Sequence, residues 1–166
     1  MFPGRVSTDT ATVETGLPSL WAEMALAGIT TPRRVAAFLT TIAHESRFLY
    51  NIKAAGDERV YAGRGFIQLT GSDNYITAGT YLGVALSTNP EWARSLEWSA
   101  KIARWYWTKA RPKCNEYADT LQMGKINAAI GYPVGDGSED KRRCDSFAAA
   151  LKYLTGEVPA GITTTR

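Results

Sequence analysis

The sequence predicts one mainly α-helical domain, and three features of the 166-residue chain lead to this prediction. Apolar residues recur at helical spacing in several stretches, and helix start and stop signals bound these stretches. The composition is that of an ordinary globular protein, with 45% hydrophobic and 21% charged residues. One irregular polar segment, residues 51–65, interrupts the helical pattern. A chain of this length can bury a continuous core as a single domain.

The first predicted helix covers residues 17–28, where Gly28 ends an apolar stripe. The members of that stripe are Leu17, Leu20, Trp21, Met24 and Ala25. Residues 1–16 are expected to form a flexible lead-in, and residues 17–155 the folded domain.

The second predicted helix begins at Thr31-Pro32, with the threonine as cap and the proline as first helical residue. It is expected to run to about Ser46. Its apolar stripe consists of Val35, Phe38, Leu39 and Ile42. The helix therefore ends on a His44-Glu45 pair.

Val60-Tyr61, late in the polar segment, and Phe66–Leu69, just after it, are expected to form a small β-hairpin. After a break at Asn89-Pro90, residues 91–110 predict a tryptophan-rich amphipathic helix or helix pair.

Two further helices are predicted in the C-terminal third of the chain. Residues 119–130 form the first, capped by Asp119, and the second runs from Ser138 to about Leu154. Residues 156–166 are expected to be a linker-like tail.

Charge and composition exclude several classes of protein. The formal net charge of +3 is small and spread along the chain, so we expect no nucleic-acid partner. No apolar run approaches the roughly 18 residues of a membrane span, and the first residues lack the pattern of a signal peptide. With one histidine and no Cys-x-x-Cys, no metal site is expected, while Cys114 and Cys144 could pair or remain free thiols.

Helical phase directs three polar side chains toward the interior. Glu45 continues the apolar stripe of its helix, Asn127 lies among apolar residues of the 119–130 helix, and Arg143 shares a face with Phe147 and Leu151. Buried hydrogen bonding is the commoner reason for an inward polar residue. Three such residues on three helices nevertheless indicate a cleft lined by several elements.

The order of residues between Ala43 and Tyr75 is typical of a glycosidase. A carboxylic acid, Glu45, lies at the end of a hydrophobic stripe, and further acids, Asp57 and Glu58, follow on a loop. Glycosidases place two carboxyl groups on either side of one glycosidic bond. The alternative for Glu45 is a helix-end ion pair with Arg47 or Arg64.

Several motifs along the chain resemble those of glycoside hydrolase family 19, in its bacteriophage endolysin branch. They are His44-Glu45-Ser46, YAGRGFIQLT at residues 61–70, Asn74-Tyr75, Asn89-Pro90, Trp105-Tyr106-Trp107, Ile126-Asn127 and Arg143. The resemblance extends from about Leu17 to Leu154, and the GRGFIQLTG run is its most specific part.

The resemblance implies a lysozyme-like fold, with two helical lobes, a cleft between them and the small hairpin beside the cleft. It implies hydrolysis of β-1,4 links in an N-acetylated polysaccharide with inversion and without a cofactor. Glu45 matches the general acid, Thr70 the residue that holds the attacking water, and Arg143 the arginine that orients the acids. The residues expected to support substrate binding are Gln68, Asn74 and Asn127, with Tyr61 as an aromatic face and His44 as a hydrogen-bonding group at the helix end.

The second carboxylate departs from the family pattern. At the spacing where short-loop relatives usually carry a second glutamate, this chain has Ala54. Glu58 is therefore expected to be the general base, displaced along the loop. Asp57 as base, a water held by Thr70 without a strong base, and an inactivating substitution at Ala54 remain alternatives.

Peptidoglycan is the expected substrate and partner, because the loop between Glu45 and Gly63 is short and the chain has only two cysteines. Plant-type members of the family, which act on chitin, carry longer loops and several disulfides. The expected protein is a monomeric part of a longer modular endolysin, held in the host cytoplasm until lysis and then acting on the wall. A lytic transglycosylase with one acid, a chitinase and a non-catalytic wall-binding module are the alternatives.

Overall fold

The computed structural model describes residues 1–135 and 137–166, and within these ranges the chain is mainly helical, as predicted. The helices are α1 (Thr10–Leu26), α2 (Pro32–Ser46), α3 (Ser72–Leu82), α4 (Ser99–Trp105), α5 (Cys114–Asp119), α6 (Met123–Ala129) and α7 (Ser138–Thr155). A 3-10 turn, Pro90–Arg94, precedes α4, and a π-helical turn, Tyr106–Ala110, continues it.

Helix α2 lies in the core, where it packs against α5 and α7. The Thr31 hydroxyl caps its start by accepting a hydrogen bond from the Arg34 amide, as the sequence predicted. Phe38 on its buried face meets the edge of Trp107, with ring centroids 5.1 Å apart. The helix ends at Arg47, which has a left-handed backbone conformation. This termination leaves His44 and Glu45 in the last turn of a helix fixed by core packing.

Helix α1 begins earlier than the sequence predicted. It begins at Thr10, where the Asp9 carboxylate accepts a hydrogen bond from the Thr12 amide, so the expected boundary after residue 16 falls inside the helix. Pro18 and the poor helix formers near residue 10 hid this start. Burial of Val13, Gly16, Leu20 and Met24 on one face outweighs these local preferences.

The later elements agree in part with the prediction. The tryptophan-rich segment forms α4 with its flanking turns, and α7 matches the last predicted helix. The helix predicted over residues 119–130 corresponds to α6, which begins only at Met123, and α5 before it was not predicted. Asp119 closes α5 and pairs with Arg34, so the predicted cap at this residue was wrong. Helix α3 was not anticipated.

The terminal segments pack on the helices. Phe2 is buried and its ring lies 5.7 Å from that of Phe48. In the expected linker-like tail, the Thr163 amide donates to the Leu121 carbonyl, and the Thr163 carbonyl accepts from the Gly124 amide. These bonds fix the residues near the C-terminal end of the chain against the start of α6.

Cys114 and Cys144 are both buried and unpaired. Burial raises the pKa of the Cys114 thiol to about 12 and that of the Cys144 thiol to about 11. None of the helices in the described ranges has the length and apolar character needed to cross a membrane.

The predicted hairpin is reduced to isolated antiparallel bridges in the described part of the chain. Arg64 bridges to Lys53 and to Leu69, and no continuous strand forms. The turn at Gly65 docks on the 3-10 turn before α4 and on the first residue of α4, where the Ser99 hydroxyl accepts a hydrogen bond from the Phe66 amide at 2.8 Å. Gly65 has a φ of +74°, and a Cβ at this position would lie 2.3 Å from the Ala93 carbonyl oxygen. Only glycine fits this contact without displacement of the backbone.

We therefore expect Gly65→Ala to lower the free energy of unfolding by about 3 kcal/mol, from left-handed strain and overpacking together. The matched control is Gly83→Ala, which has a φ of +71° but no atom within 4 Å of the added Cβ. That variant should lose only about 1 kcal/mol, the cost of the strain alone. Denaturant unfolding measures both, and equal losses would contradict the docking argument.

Candidate active site

Glu45 in the last turn of α2 is held by a buried arginine from α7. Its Oε1 accepts a hydrogen bond from Arg143 Nη2 at 2.7 Å. The Glu45 side chain is 21% exposed, whereas the Arg143 side chain is 2% exposed. A bond from a buried, fixed cation orients a carboxyl group that can still meet a ligand. The inward phase predicted for both residues is confirmed by this contact, which neither Arg47 nor Arg64 makes in the described hydrogen bonds.

The guanidinium of Arg143 has further partners. Its Nε donates to Glu139 at 3.3 Å, and its Cζ lies 4.4 Å from the centroid of the Tyr132 ring. Its Nη1 is buried and has no hydrogen-bond partner among the described residues. Such unpaired buried donors are rare in proteins, so this one is available to a water or a ligand group.

Glu139 links His44 to Arg143, which holds Glu45. His44 Nδ1 is 2.7 Å from Glu139 Oε1, and His44 Nε2 is 2.9 Å from the Ser146 hydroxyl. Burial alone would raise the pKa of Glu139, but its hydrogen bonds to Arg142 and His44 and the nearby charges lower it to about 2. An ionised carboxylate only accepts, so Nδ1 donates to Glu139 and Nε2 accepts from Ser146 when the ring is neutral. Burial lowers the pKa of His44, which favours that neutral form.

His44 is therefore a positioning group and not a substrate contact. Its side chain has no exposed surface, and both ring nitrogens have partners. The sequence predicted the hydrogen-bonding role of His44 but not that Glu139 is its partner. The four-residue spacing of Glu139 and Arg143 on one helix was the available signal.

Asn127 on α6 is fully buried, as its phase predicted. Its Nδ2 donates to Asp140 Oδ1 at 2.6 Å, while its Oδ1 is buried without a partner in the described residues. The side chain thus reaches the first turn of α7, and its role in substrate binding stays a prediction.

The polar loop that carries the expected base forms an open depression. Lys53, Ala54, Gly56, Asp57 and Glu58 line it, and its volume is about 480 Å³. A backbone hydrogen bond joins the two ends of the loop, because the Ala54 amide donates to the Gly63 carbonyl at 2.8 Å.

The two acids of this loop differ in their partners. Asp57 receives hydrogen bonds from Arg59 Nε at 2.9 Å and Arg59 Nη2 at 2.6 Å. These bonds lower the pKa of Asp57 to about 2. Glu58 is exposed and has no hydrogen bond or ion pair with any described residue. Asp57 is therefore engaged in holding the loop, and Glu58 is the acid available for other contacts.

Thr70, Gln68 and Asn74 lie together next to Gly63. The Thr70 hydroxyl donates to the Gln68 carbonyl at 2.7 Å, and Asn74 Nδ2 donates to the Thr70 carbonyl at 2.8 Å. A Cβ at Gly63 would lie 2.9 Å from Gln68 Oε1 and 3.2 Å from Thr70 Oγ1. The glycine thus leaves room for these two side chains, which remain partly exposed.

Tyr61 is half-buried, and its hydroxyl donates to the Ser87 carbonyl at 3.0 Å. Its ring packs on Tyr75 with centroids 5.2 Å apart. These contacts give the residue a structural role, and stacking against a sugar stays a prediction.

The structure thus brings the predicted residues into two groups. Glu45, His44, Arg143 and Asn127 belong to the helical group, and Glu58, Gln68, Thr70, Asn74 and Tyr61 to the loop group. No described hydrogen bond joins the two groups. No cluster of three or more candidate ligand side chains for a metal occurs in the described residues.

Comparison with known proteins shows which class of protein the chain is similar to. No family model matches the chain. The chain is 38% identical over 97 residues to a glycosyl hydrolase family 19 domain-containing protein of Haemophilus influenzae. The matched region covers 58% of this chain and 44% of that protein. The chain is also 35% identical over 95 residues to an endochitinase of Arabidopsis thaliana. Here the matched region covers 48% of this chain and 34% of that protein.

A solved structure shows the fold. Chitinase C from Streptomyces griseus superimposes with a TM-score of 0.74 at 22% identity, over 99% of this chain and 92% of that one. The predicted lysozyme-like helical fold is thereby confirmed. Sequence relatives and fold together support a glycoside hydrolase of the family 19 kind. The chain spans less than half the length of the two curated relatives.

The hydrogen bonds that Glu139 forms with His44 and Arg143 predict that the stability of the fold depends on pH. The folded-state pKa of Glu139, about 2, lies below its ordinary value of 4.5. Its charge therefore stabilises the fold fully above pH 4.5, and the contribution is lost as the pH falls toward 2. Compared with wild type, Glu139→Gln should lose about 3 kcal/mol of unfolding free energy at pH 7 and almost nothing near pH 2.

Denaturant unfolding across this pH range measures the difference between the two proteins. The control is Glu97→Gln, which removes an exposed carboxylate without a described partner and should follow the wild-type curve. A difference between wild type and Glu139→Gln that stays constant with pH would refute the assignment.

Proposed function

We propose that the protein hydrolyses β-1,4 links between the N-acetylated sugars of bacterial peptidoglycan by an inverting acid/base mechanism. The observation that carries the proposal is Glu45, a partly exposed carboxyl group held at 2.7 Å by the buried Arg143. The family 19 relatives and the shared fold support the glycosidase class.

In this mechanism Glu45 is the general acid. It transfers a proton to the glycosidic oxygen as the bond to the anomeric carbon breaks. Arg143 holds only one of the two carboxyl oxygens, so the other can carry that proton toward the substrate. Helices α2 and α7 fix the direction in which Glu45 transfers its proton. Such orientation supplies much of the rate advantage of an acid in an enzyme.

Glu58 is the general base of the proposal. Inversion requires a second carboxylate, roughly 6.5–9.5 Å from the acid, that removes a proton from the attacking water. Ala54 has no group for this step. Asp57, with a pKa of about 2 and both oxygens bonded to Arg59, is a weak and occupied base. The unpaired Glu58 on the same loop is the better candidate.

Thr70 is suited to hold the attacking water. Because its hydroxyl proton is donated to the Gln68 carbonyl, its oxygen keeps lone pairs that can accept a hydrogen bond from water. A water so held keeps its own lone pair free for attack on the anomeric carbon.

Peptidoglycan is favoured by the short loop before Gly63 and by the two unpaired cysteines, which contrast with the long loops and disulfides of plant-type members. Chitin is the second candidate, because the Arabidopsis relative and the Streptomyces structure are named as chitinases. We further propose a monomeric endolysin component, kept in the host cytoplasm until lysis and carried with other modules.

Glu58→Gln is expected to lower the rate of wall hydrolysis by about 100-fold or more, because the variant cannot accept a proton from water. Asp57→Asn is the matched control on the same loop. It breaks the contact with Arg59 but should retain most of the activity. Turbidity loss of purified cell walls measures both variants. Near-normal turnover by Glu58→Gln would remove Glu58 from the mechanism, and a larger loss in Asp57→Asn would make Asp57 the base.

Mass spectrometry of the soluble products from purified peptidoglycan and from chitin tests the function itself. We expect fragments with free reducing ends from peptidoglycan, faster than from chitin, and none with Glu45→Gln. Faster release from chitin would reverse the substrate choice. Anhydro sugar ends would indicate a transglycosylase, and wall binding without any fragments a non-catalytic module.

A further inference from the structure

Arg166 binds two parts of the chain, the segment that follows α6 and the first turn of α7. Its Nε and Nη2 donate to Asp140 at 2.9 and 3.2 Å, which places one arm on the first turn of α7. Its Nη1 donates to the Tyr132 carbonyl at 2.7 Å, and its Nη2 lies 3.3 Å from the Pro133 carbonyl. A planar guanidinium can hold a carboxylate and a carbonyl in this fixed relation, which a single ammonium cannot.

The backbone that carries Arg166 is seated by close contact with α6. The Gly124 amide donates to the Thr163 carbonyl at 3.0 Å. A Cβ at Gly124 would lie 2.1 Å from the Thr164 carbonyl oxygen, so the absence of a side chain is needed for this approach. Arg166 is thus presented to α7 by a segment with defined contacts.

Both groups held by Arg166 lead to the candidate active site. Asp140 Oδ1 also accepts from Asn127 Nδ2 at 2.6 Å. The ring of Tyr132 lies 4.4 Å from the guanidinium of Arg143, which holds Glu45. The Tyr132 amide in turn donates to the Asn127 carbonyl at 3.0 Å.

We propose that Arg166 is a positioning residue for the active site, acting through Asp140 on Asn127. The proposal rests on the proposed function. Asp140 is 8% exposed, and without Arg166 the carboxylate would keep only the Asn127 amide as a described partner. It would then turn toward water, because a buried charge needs several partners.

The consequence falls on the orientation of the Asn127 carboxamide. Its Nδ2 points to Asp140 because that carboxylate only accepts, and this choice leaves Oδ1 as the unpaired acceptor. If Asp140 moves, the carboxamide loses the bond that fixes its orientation. Arg166 therefore keeps an acceptor, and not a donor, available at the unpaired end of the Asn127 side chain.

The experiment compares Arg166→Gln and Arg166→Lys with wild type on purified peptidoglycan. We expect about a tenfold loss of kcat/KM in both, since small misplacements of binding groups reduce rates strongly. The lysine variant keeps the charge but cannot bond Asp140 and the Tyr132 carbonyl in the same fixed geometry. It tests the proposal if the glutamine variant is unstable. The control is Arg34→Gln, which breaks a comparable bridge to Asp119 and the Gly28 carbonyl. It should keep its kcat/KM.

The same Arg166 substitutions are then made in an Asn127→Ala background. If Arg166 acts mainly through Asn127, the tenfold loss shrinks to about twofold or less there, because coupled residues are non-additive. A full loss in both backgrounds, or no loss in either, would overturn the proposal.

A second measurement does not depend on activity. NMR of the Asn127 side-chain amide should show solvent exchange at least about tenfold faster in Arg166→Gln than in wild type or Arg34→Gln, because opening is no longer restrained. If wild type cleaves neither polymer, the proposed function fails while this readout still tests Arg166. Unchanged exchange would refute the positioning role.

Discussion

The burial of Arg143 is the constraint on which the rest of the site depends. A guanidinium with 2% exposure cannot lose its charge, so the surrounding helices must supply carboxylates and an aromatic face. Glu45 from α2 and Glu139 from α7 provide the charge, and Tyr132 provides the ring. The contact that compensates the buried cation also fixes the carboxyl group that is left partly exposed. One interaction therefore stabilises the fold and orients this carboxyl group, and a shift of α2 relative to α7 would change both.

A second buried arginine organises the loop in the same manner. Arg64 donates to Glu91, to the Val60 and Ala62 carbonyls and to the Tyr75 hydroxyl, which closes the loop around its own side chain. Arg64 thus fixes the loop, and the two acids on the loop surface differ in their partners. Asp57 is bound to Arg59, whereas Glu58 stays unpaired. In our proposal this unpaired carboxylate supplies the base that Ala54 cannot provide.

Features that depend on short-range periodicity were predictable. The apolar stripe and cap of α2, the extent of α7 and the inward phase of Glu45, Asn127 and Arg143 follow from side chains that repeat with the helical turn. The start of α1, the presence of α5 and the start of α6 at Met123 were not predicted. There, burial of one face and the Asp119–Arg34 pair decide the structure against weak local signals.

The sequence by itself determined the helical class, the resemblance to family 19 and the identity of the helix-end acid, because these follow from local spacing and contiguous motifs. Only the tertiary structure decided which partners those residues have. His44 with Glu139, and Asp140 with both Asn127 and Arg166, are joined across long stretches of chain. No local pattern specifies such pairs, because they arise only when packing of the helices removes these polar groups from water and each must find a partner.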